Sequence, residues 1–141
     1  MSELVRFGVA MERALLARFD ERIARRGYEN RSEAIRDLVR ADLTRDAWSR
    51  GGEGVATVTL VYDARVRDTS ERLRTVAREA GRHVVATLRA DLDAWRCLEV
   101  FVMRGPSVRL QALADRLIGQ RGVLTGELVA AAGDEGEGAP P

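Results

Sequence analysis

Lysine is absent, so every one of the 23 basic residues is arginine. Arginine suits forked contacts to phosphate and guanine, although a chain with no lysine at all also reflects genome composition. The 22 acidic residues bring the formal charge to +1, which excludes a nonspecific polycation. Any nucleic-acid contact must come from local clustering. Cysteine and histidine each occur once, as Cys97 and His83. One cysteine excludes an internal disulfide framework and fits a reducing compartment. The two residues are not near neighbours in sequence, and no catalytic set is found, so an enzyme is not expected. No apolar run is long enough to span a bilayer, and the amino terminus has no signal-peptide pattern, so a cytoplasmic protein with no membrane partner is expected. What the chain does have is a globular composition, 45% hydrophobic and 32% charged in 141 residues, enough for one ordinary domain or two small ones.

The first half carries one strand and two helices. Phe7, Val9 and Met11 alternate with Arg6, Gly8 and Ala10 over residues 5–11, the period of a strand. A lone strand cannot satisfy its backbone groups and has to pair. Leu15, Phe19 and Ile23 then recur at helical spacing, with Gly27 as a stop. Asn30-Arg31-Ser32-Glu33 has the form of a helix start, followed by Ile35, Leu38, Val39 and Leu43 on one face of a helix reaching about Trp48. Some fifty residues of this kind bury too little surface to stand alone. An obligate dimer, strands paired antiparallel above four helices, solves the problem. This is the ribbon-helix-helix arrangement, whose ribbon enters the DNA major groove. Arg6, Gly8 and Ala10 lie on the outward face of that ribbon, and Arg6 alone there reads a base edge strongly. Arg31, Ser32 and Arg36 stand at the start of the second helix, whose free N–H groups make a phosphate seat.

Ser49 to Gly54 holds three glycines in six positions and predicts a flexible linker over 49–54. Domains are therefore expected at 1–48 and 55–132. The second follows the order strand, helix, strand, strand, helix, strand. Val55 to Tyr62 form the first strand, and Asp68-Thr69-Ser70-Glu71 reads as a capping box. Leu73, Val76, Ala77 and Ala80 then share a helix face. Two alternating, half-buried strands follow around a turn at Asp93-Ala94-Trp95. Leu88 lies on one face of the first strand and Arg89 and Asp91 on the other; Cys97 opens the second strand. Leu110, Leu113, Ala114 and Leu117 face inward on the last helix, and Gly122 to Ala131 form the last strand. This βαββαβ order is ferredoxin-like and the fold class is α+β; taken with the first half, it resembles an ACT-type regulatory domain. The glycine-, acid- and proline-rich tail over 133–141 is expected to be disordered.

Two groups of residues carry a resemblance to the nickel-responsive regulators, NikR. One is RFGVAM with RGYENRSEAIRDLVR over 26–40. The other runs through Val61-Tyr62, Arg67-Asp68, Ala86-Thr87-Leu88, Cys97-Leu98-Glu99 and Gln120-Arg121-Gly122-Val123. The resemblance implies a homotetramer on double-stranded DNA, two ribbon-helix-helix dimers flanking four regulatory domains. It also implies a square-planar nickel site of three imidazoles and one thiolate. The family's paired histidines fall on Arg89 and Asp91, and the one given by a neighbouring subunit falls near Arg78. Cys97 is the one ligand retained. Guanidinium has no lone pair to give, and one carboxylate with one thiolate is half a site. His83, six residues before Arg89 in what reads as the same strand, lies roughly 20 Å away at about 3.3 Å per residue. Three readings stay open: ion pairs of Arg78, Arg89 and Asp91 at a subunit junction, an anionic effector on Arg78 and Arg89, or loss of regulation. The resemblance also implies a potassium-like cation near Glu33 and Asp37 and a phosphate contact from Arg67. Where the family has a hydroxyl residue, this chain has Ala10, which leaves fewer direct readers of sequence. Alternatives of another class are an antitoxin-type protein whose tail folds on a toxin, or a metabolite-binding module with vestigial DNA binding; the ordered second half speaks against the first.

Overall fold

The structure is a computed structural model and describes residues 3–133. It divides into two compact units, Met1–Ala41 and Asp42–Pro141. In the first unit, residues 3–12 carry no regular secondary structure, and Val5, Phe7 and Val9 are exposed. The strand expected over 5–11 forms no ladder, because a single chain offers it no partner. Helix α1, Arg13–Arg25, ends in a left-handed glycine turn. Gly27 has φ +80°, its N–H donates to Ala24 O, and the Tyr28 N–H reaches back to Ile23 O. That pair of reversed bonds needs a residue free of a Cβ penalty at Gly27. Helix α2, Arg31–Ser49, starts as expected: Asn30 Oδ1 accepts the Glu33 N–H at 2.9 Å. Among the described residues of this unit, Ile23 and Ala34 are buried, while Leu15, Leu38 and Val39 are half exposed. So thin a core fits a unit that gains its burial from a second copy.

The second unit has the order β1 (Glu53–Asp63), α3 (Thr69–Ala80), a 3-10 turn (Gly81–His83), β2 (Val84–Asp91), β3 (Arg96–Pro106), α4 (Ser107–Ile118) and β4 (Val123–Gly133). The four strands make one antiparallel sheet in the order β2-β3-β1-β4. Alternation along β1 buries Ala56, Val58, Leu60 and Tyr62, and the register aligns them with Met103, Phe101, Glu99 and Cys97 of β3. Leu73 and Val76 of α3, with Leu110, Leu113, Ala114 and Leu117 of α4, close over that face. The helix faces read from periodicity are those found.

Four expectations change. Strand β2 is not half-buried: it is the sheet edge, and Leu88, opposite Val100 on the face without helices, is 65% exposed. The linker expected over 49–54 shrinks to Arg50–Gly52, between the end of α2 and the start of β1. It is also held, since Ser107 donates its N–H to Gly52 O at 2.9 Å and its hydroxyl to Trp48 O at 2.8 Å. The capping box at α3 does not form. Asp68 takes a left-handed conformation (φ +64°) and its carboxylate makes no cap hydrogen bond, while the Thr69 hydroxyl donates to Arg121 O at 2.8 Å. His83 lies in the 3-10 turn rather than the strand, its Nδ1–H donating to Arg104 O at 3.1 Å. The tail read as disordered lies outside the described residues from 134 onward.

Gly126 on β4 faces Leu60, and a Cβ there would come within 2.6 Å of Leu60 Cδ2 and 2.7 Å of Ile118 Cγ1. Gly126→Ala is expected to cost about 1–3 kcal/mol through overpacking. The measurement is the urea midpoint, which should fall at constant m-value; an unchanged midpoint would mean that α4 and β4 are loosely packed.

Candidate functional site

Antiparallel pairing assembles the site. Tyr62 of β1 lies opposite Cys97 of β3, and Cys97 lies opposite Asp91 of β2. Two pairs along, Arg89 lies opposite Glu99. Residues that face each other share a side of the sheet, so all five stand on the helix-covered side. Cys97 is fully buried. Arg89 Nε–H donates to Cys97 Sγ at 3.1 Å, and the thiol in turn donates to Asp91 Oδ1 at 3.3 Å. Arg89 Nε is 3.8 Å from Asp91 Oδ1, and its Nη1 reaches Ser70 Oγ in the first turn of α3 at 3.2 Å. One guanidinium thus touches β2, β3 and α3.

The electrostatics follow from that packing. The bond to Cys97 is the largest of the effects that raise the Arg89 pKa. Burial, and after it the neighbouring Cys97, pushes the Tyr62 phenol up to about 12. Its hydroxyl is buried without a hydrogen-bond partner among the described residues. Burial likewise raises Glu99, against the opposing pull of Arg89 and then Arg74. A cleft of about 230 Å³ opens beside this cluster, between Tyr62, Arg89 and the start of α3.

Among the expected site residues, Arg89, Asp91 and Cys97 are brought together. Arg78 is not among them: it stands exposed in the last turn of α3. That is eight residues from Ser70, or about 12 Å along the helix at 1.5 Å per residue. The fit to nickel is poor on the donor set itself. At the positions of the family's ligands, the thiol and the Asp91 carboxylate are the two usable donors, and a guanidinium already sits on the sulfur. Among the described residues, no group of three or more His, Cys, Asp or Glu side chains is placed to hold a metal.

The DNA-facing candidates lie in the first unit, apart from Arg67. Arg6, Gly8 and Ala10 are exposed, as are Arg31, Ser32 and Arg36. Arg31 is engaged: its fork donates two bonds of 2.8 Å to the Asp20 carboxylate, which lowers the Asp20 pKa. Arg67 is 93% exposed in its side chain and 3.8 Å from Asp68. Of the acid pair Glu33 and Asp37, Asp37 accepts from the Tyr28 hydroxyl at 2.8 Å and from Arg40 at 3.1 Å. No helix among the described residues is long and apolar enough to cross a membrane.

Known proteins place this architecture. Residues 5–46 match the family model for ribbon-helix-helix protein, copG family. Residues 55–131 match the model for the NikR C terminal nickel binding domain. The chain belongs to the NikR family. A "Putative nickel-responsive regulator" of Geobacter sp. (strain M21) is 47% identical over 137 residues, which is 96% of this chain and 99% of that one. A protein of the same name from Geobacter sulfurreducens is 48% identical, covering 92% of this chain and 94% of its own. A third, from Desulfovibrio desulfuricans, is 46% identical over 89% of this chain and 91% of its own. Among solved structures, an uncharacterized protein of Thermotoga maritima, TM1266, superposes with a TM-score of 0.51. It is 12% identical and covers 56% of this chain and 98% of its own, a likeness of fold alone. NikR is a family of transcription regulators and not of enzymes.

Tyr62, Ser70 and Glu99 were not singled out in the sequence as site residues. Tyr62 had a signal, since it continues the inward parity of Ala56, Val58 and Leu60. Ser70 had none, because its place beside Arg89 depends on how α3 packs on the sheet. Tyr62→Phe removes a buried hydroxyl that has no partner, so stability is expected to hold or to rise by about 1–3 kcal/mol. The pH dependence has a definite sign. An unfolded phenol ionises near 10 and the folded one near 12, so the folded state binds the extra proton and stability falls as pH rises through that window. Urea titrations between pH 9 and about 12 should show that fall in the native chain and less of it in Tyr62→Phe; parallel curves would contradict it.

Proposed function

We propose that this chain, a DNA-binding transcription regulator of the NikR family, holds its own residues where the family holds nickel and occupies its operator without it. The observation that carries this reading is the 3.1 Å bond from Arg89 Nε to Cys97 Sγ. The resemblance puts family histidines at Arg89, Asp91 and a neighbour's Arg78. An arginine cation on the thiol repels a second cation and offers no lone pair. The oxygen of Asp91 is a poor match for nickel. Arg78 has no ion-pair partner within the chain among the described residues, which leaves it available to Asp91 of a neighbouring subunit. Such a bridge would hold the assembled state that metal holds in the family.

The assembly is a cytoplasmic homotetramer, with DNA-binding domains over 1–48 and regulatory domains over 55–132. Support comes from the apolar surface a single chain leaves uncovered: Phe7, Val9 and Leu38 in the first unit, Leu88 and Val129 in the second. Paired ribbons place Arg6 against base edges, while Gly8 and Ala10 let the backbone approach. Ser32 and Arg36 seat a phosphate at the start of α2, and Arg67 contacts a second from the regulatory domain. Arg31 joins them by exchanging Asp20 for phosphate. A potassium-like cation at Glu33 and Asp37 would compete with the bonds Asp37 already accepts. No other cofactor is assigned.

The test is operator binding by the full-length protein with added nickel and with chelator. Equal affinity is expected, and a large gain with nickel would overturn the reading. Arg6→Ala is expected to lower discrimination between operator and random DNA by about 1–3 kcal/mol; an equal loss on both would make Arg6 a phosphate contact. Arg89→His with Asp91→His and Arg78→His is expected to restore nickel binding by calorimetry. No gain in that triple variant would show that the backbone, and not the ligand set alone, has changed.

A further inference from the structure

Helix α2 crosses the division between the two units, and its residues from Asp42 to Ser49 belong to the second. Within that second unit, the end of α2 meets the start of α4. A helix end carries backbone groups that its own helix cannot pair, and here each end serves the other. The Ser107 hydroxyl donates to Trp48 O at 2.8 Å, and the Ser107 N–H donates to Gly52 O at 2.9 Å. Ser107 is buried, which shelters both bonds from solvent. Further along α4, Gln111 Oε1 accepts the Trp48 indole N–H at 3.3 Å, and Trp48 packs against the core of the sheet. The Gln111 amide nitrogen donates to Asp115 Oδ1 at 3.1 Å, so its oxygen is the atom left for the indole. Gly51, at φ +81°, closes the turn by donating its N–H to Trp48 O at 3.2 Å, and a Cβ there would come within 3.2 Å of Val108 Cγ2. The glycine pair promises a free tether by composition, yet it is pinned.

We infer that this junction is a latch: α4 holds the end of α2, and releasing the Trp48 indole frees Arg50–Gly52 and weakens DNA binding. Ser107 and Gln111 lie four residues apart, on one face of α4. A shift of the first turn of α4 therefore loosens both of their bonds together. The inference rests on the reading above that the start of α2 seats a phosphate. On that reading α2 has its start on DNA and its end in the regulatory unit. A junction already ordered adds no ordering cost when both ends act together, whereas a freed one adds that cost to binding.

The test is limited trypsin digestion of the full-length protein beside its Trp48→Ala and Gln111→Leu variants. With no lysine in the chain, trypsin cuts after arginine alone, and a cut after Arg50 gives fragments 1–50 and 51–141, identified by mass. Cutting of a folded chain follows the population of the locally open form. Slow cutting at Arg50 is expected in the native protein. Gln111→Leu, at an exposed position, should speed it about fivefold, as for the loss of one hydrogen bond. Trp48→Ala should speed it more, and neither variant should change the rates at other arginines. Cutting at Arg50 that is equally fast in all three proteins overturns the latch, as does acceleration spread evenly over the chain. Affinity for a fluorescein-labelled operator duplex, read by anisotropy, should fall in both variants by about threefold or more, in proportion to the ordering cost. Faster cutting with unchanged affinity overturns the coupling to DNA. A native protein that binds no DNA sinks the function proposed above instead, and the digestion still decides the latch.

Discussion

The contact between Arg89 and Cys97 sets the character of the regulatory unit. Cys97 is fully buried on a central strand, and Arg89 reaches it from the edge strand, then extends to Ser70 on α3. Its contribution is chemical more than energetic. The Arg89 and Asp91 side chains are 45% and 79% exposed, and an exposed ion pair is worth at most about 1 kcal/mol. What the guanidinium does is fill the space beside the thiol with a fixed positive charge. A soft ligand that elsewhere would attract a divalent cation is here paired with an organic one.

Around that contact, the fold is shaped by what one chain cannot bury. The helix-covered side of the sheet is complete, with Tyr62, Phe101, Leu73 and Leu117 closed off from solvent. The opposite side is open, and Leu88 and Val129 remain more than half exposed. In the amino-terminal unit the imbalance is larger, with Phe7 at 74% and Val9 at 64%. Exposed apolar rows of this extent fit surfaces made for other copies of the same chain. The Arg89 cluster sits on the strand at the edge of this sheet.

Much of this was legible in the sequence because local rules carried it. Asn30 caps α2, Gly27 closes α1, and the inward rows of α3 and α4 are those that periodicity picks out. That Cys97 lies across the hairpin turn from Arg89 and Asp91 was legible from alternation, whereas their contacts depend on the register of β2 against β3. Three features escaped for physical reasons. The capping motif at Asp68 was overridden by a left-handed residue and by the tertiary bond from Thr69 to Arg121. The alternation of β2 promised burial, but an edge strand under an open sheet face gains none within one chain. The orphaned hydroxyl of Tyr62 follows from three strands and a helix meeting, which no local pattern encodes.

The account turns on whether the Cys97 sulfur is available to nickel. The direct measurement is titration of the native, full-length protein with Ni(II), following the thiolate-to-nickel charge-transfer absorption that a bound Cys97 would give. The account predicts no such band at stoichiometric nickel, with Arg89 retained on the sulfur. A band that saturates at one nickel per chain would contradict it.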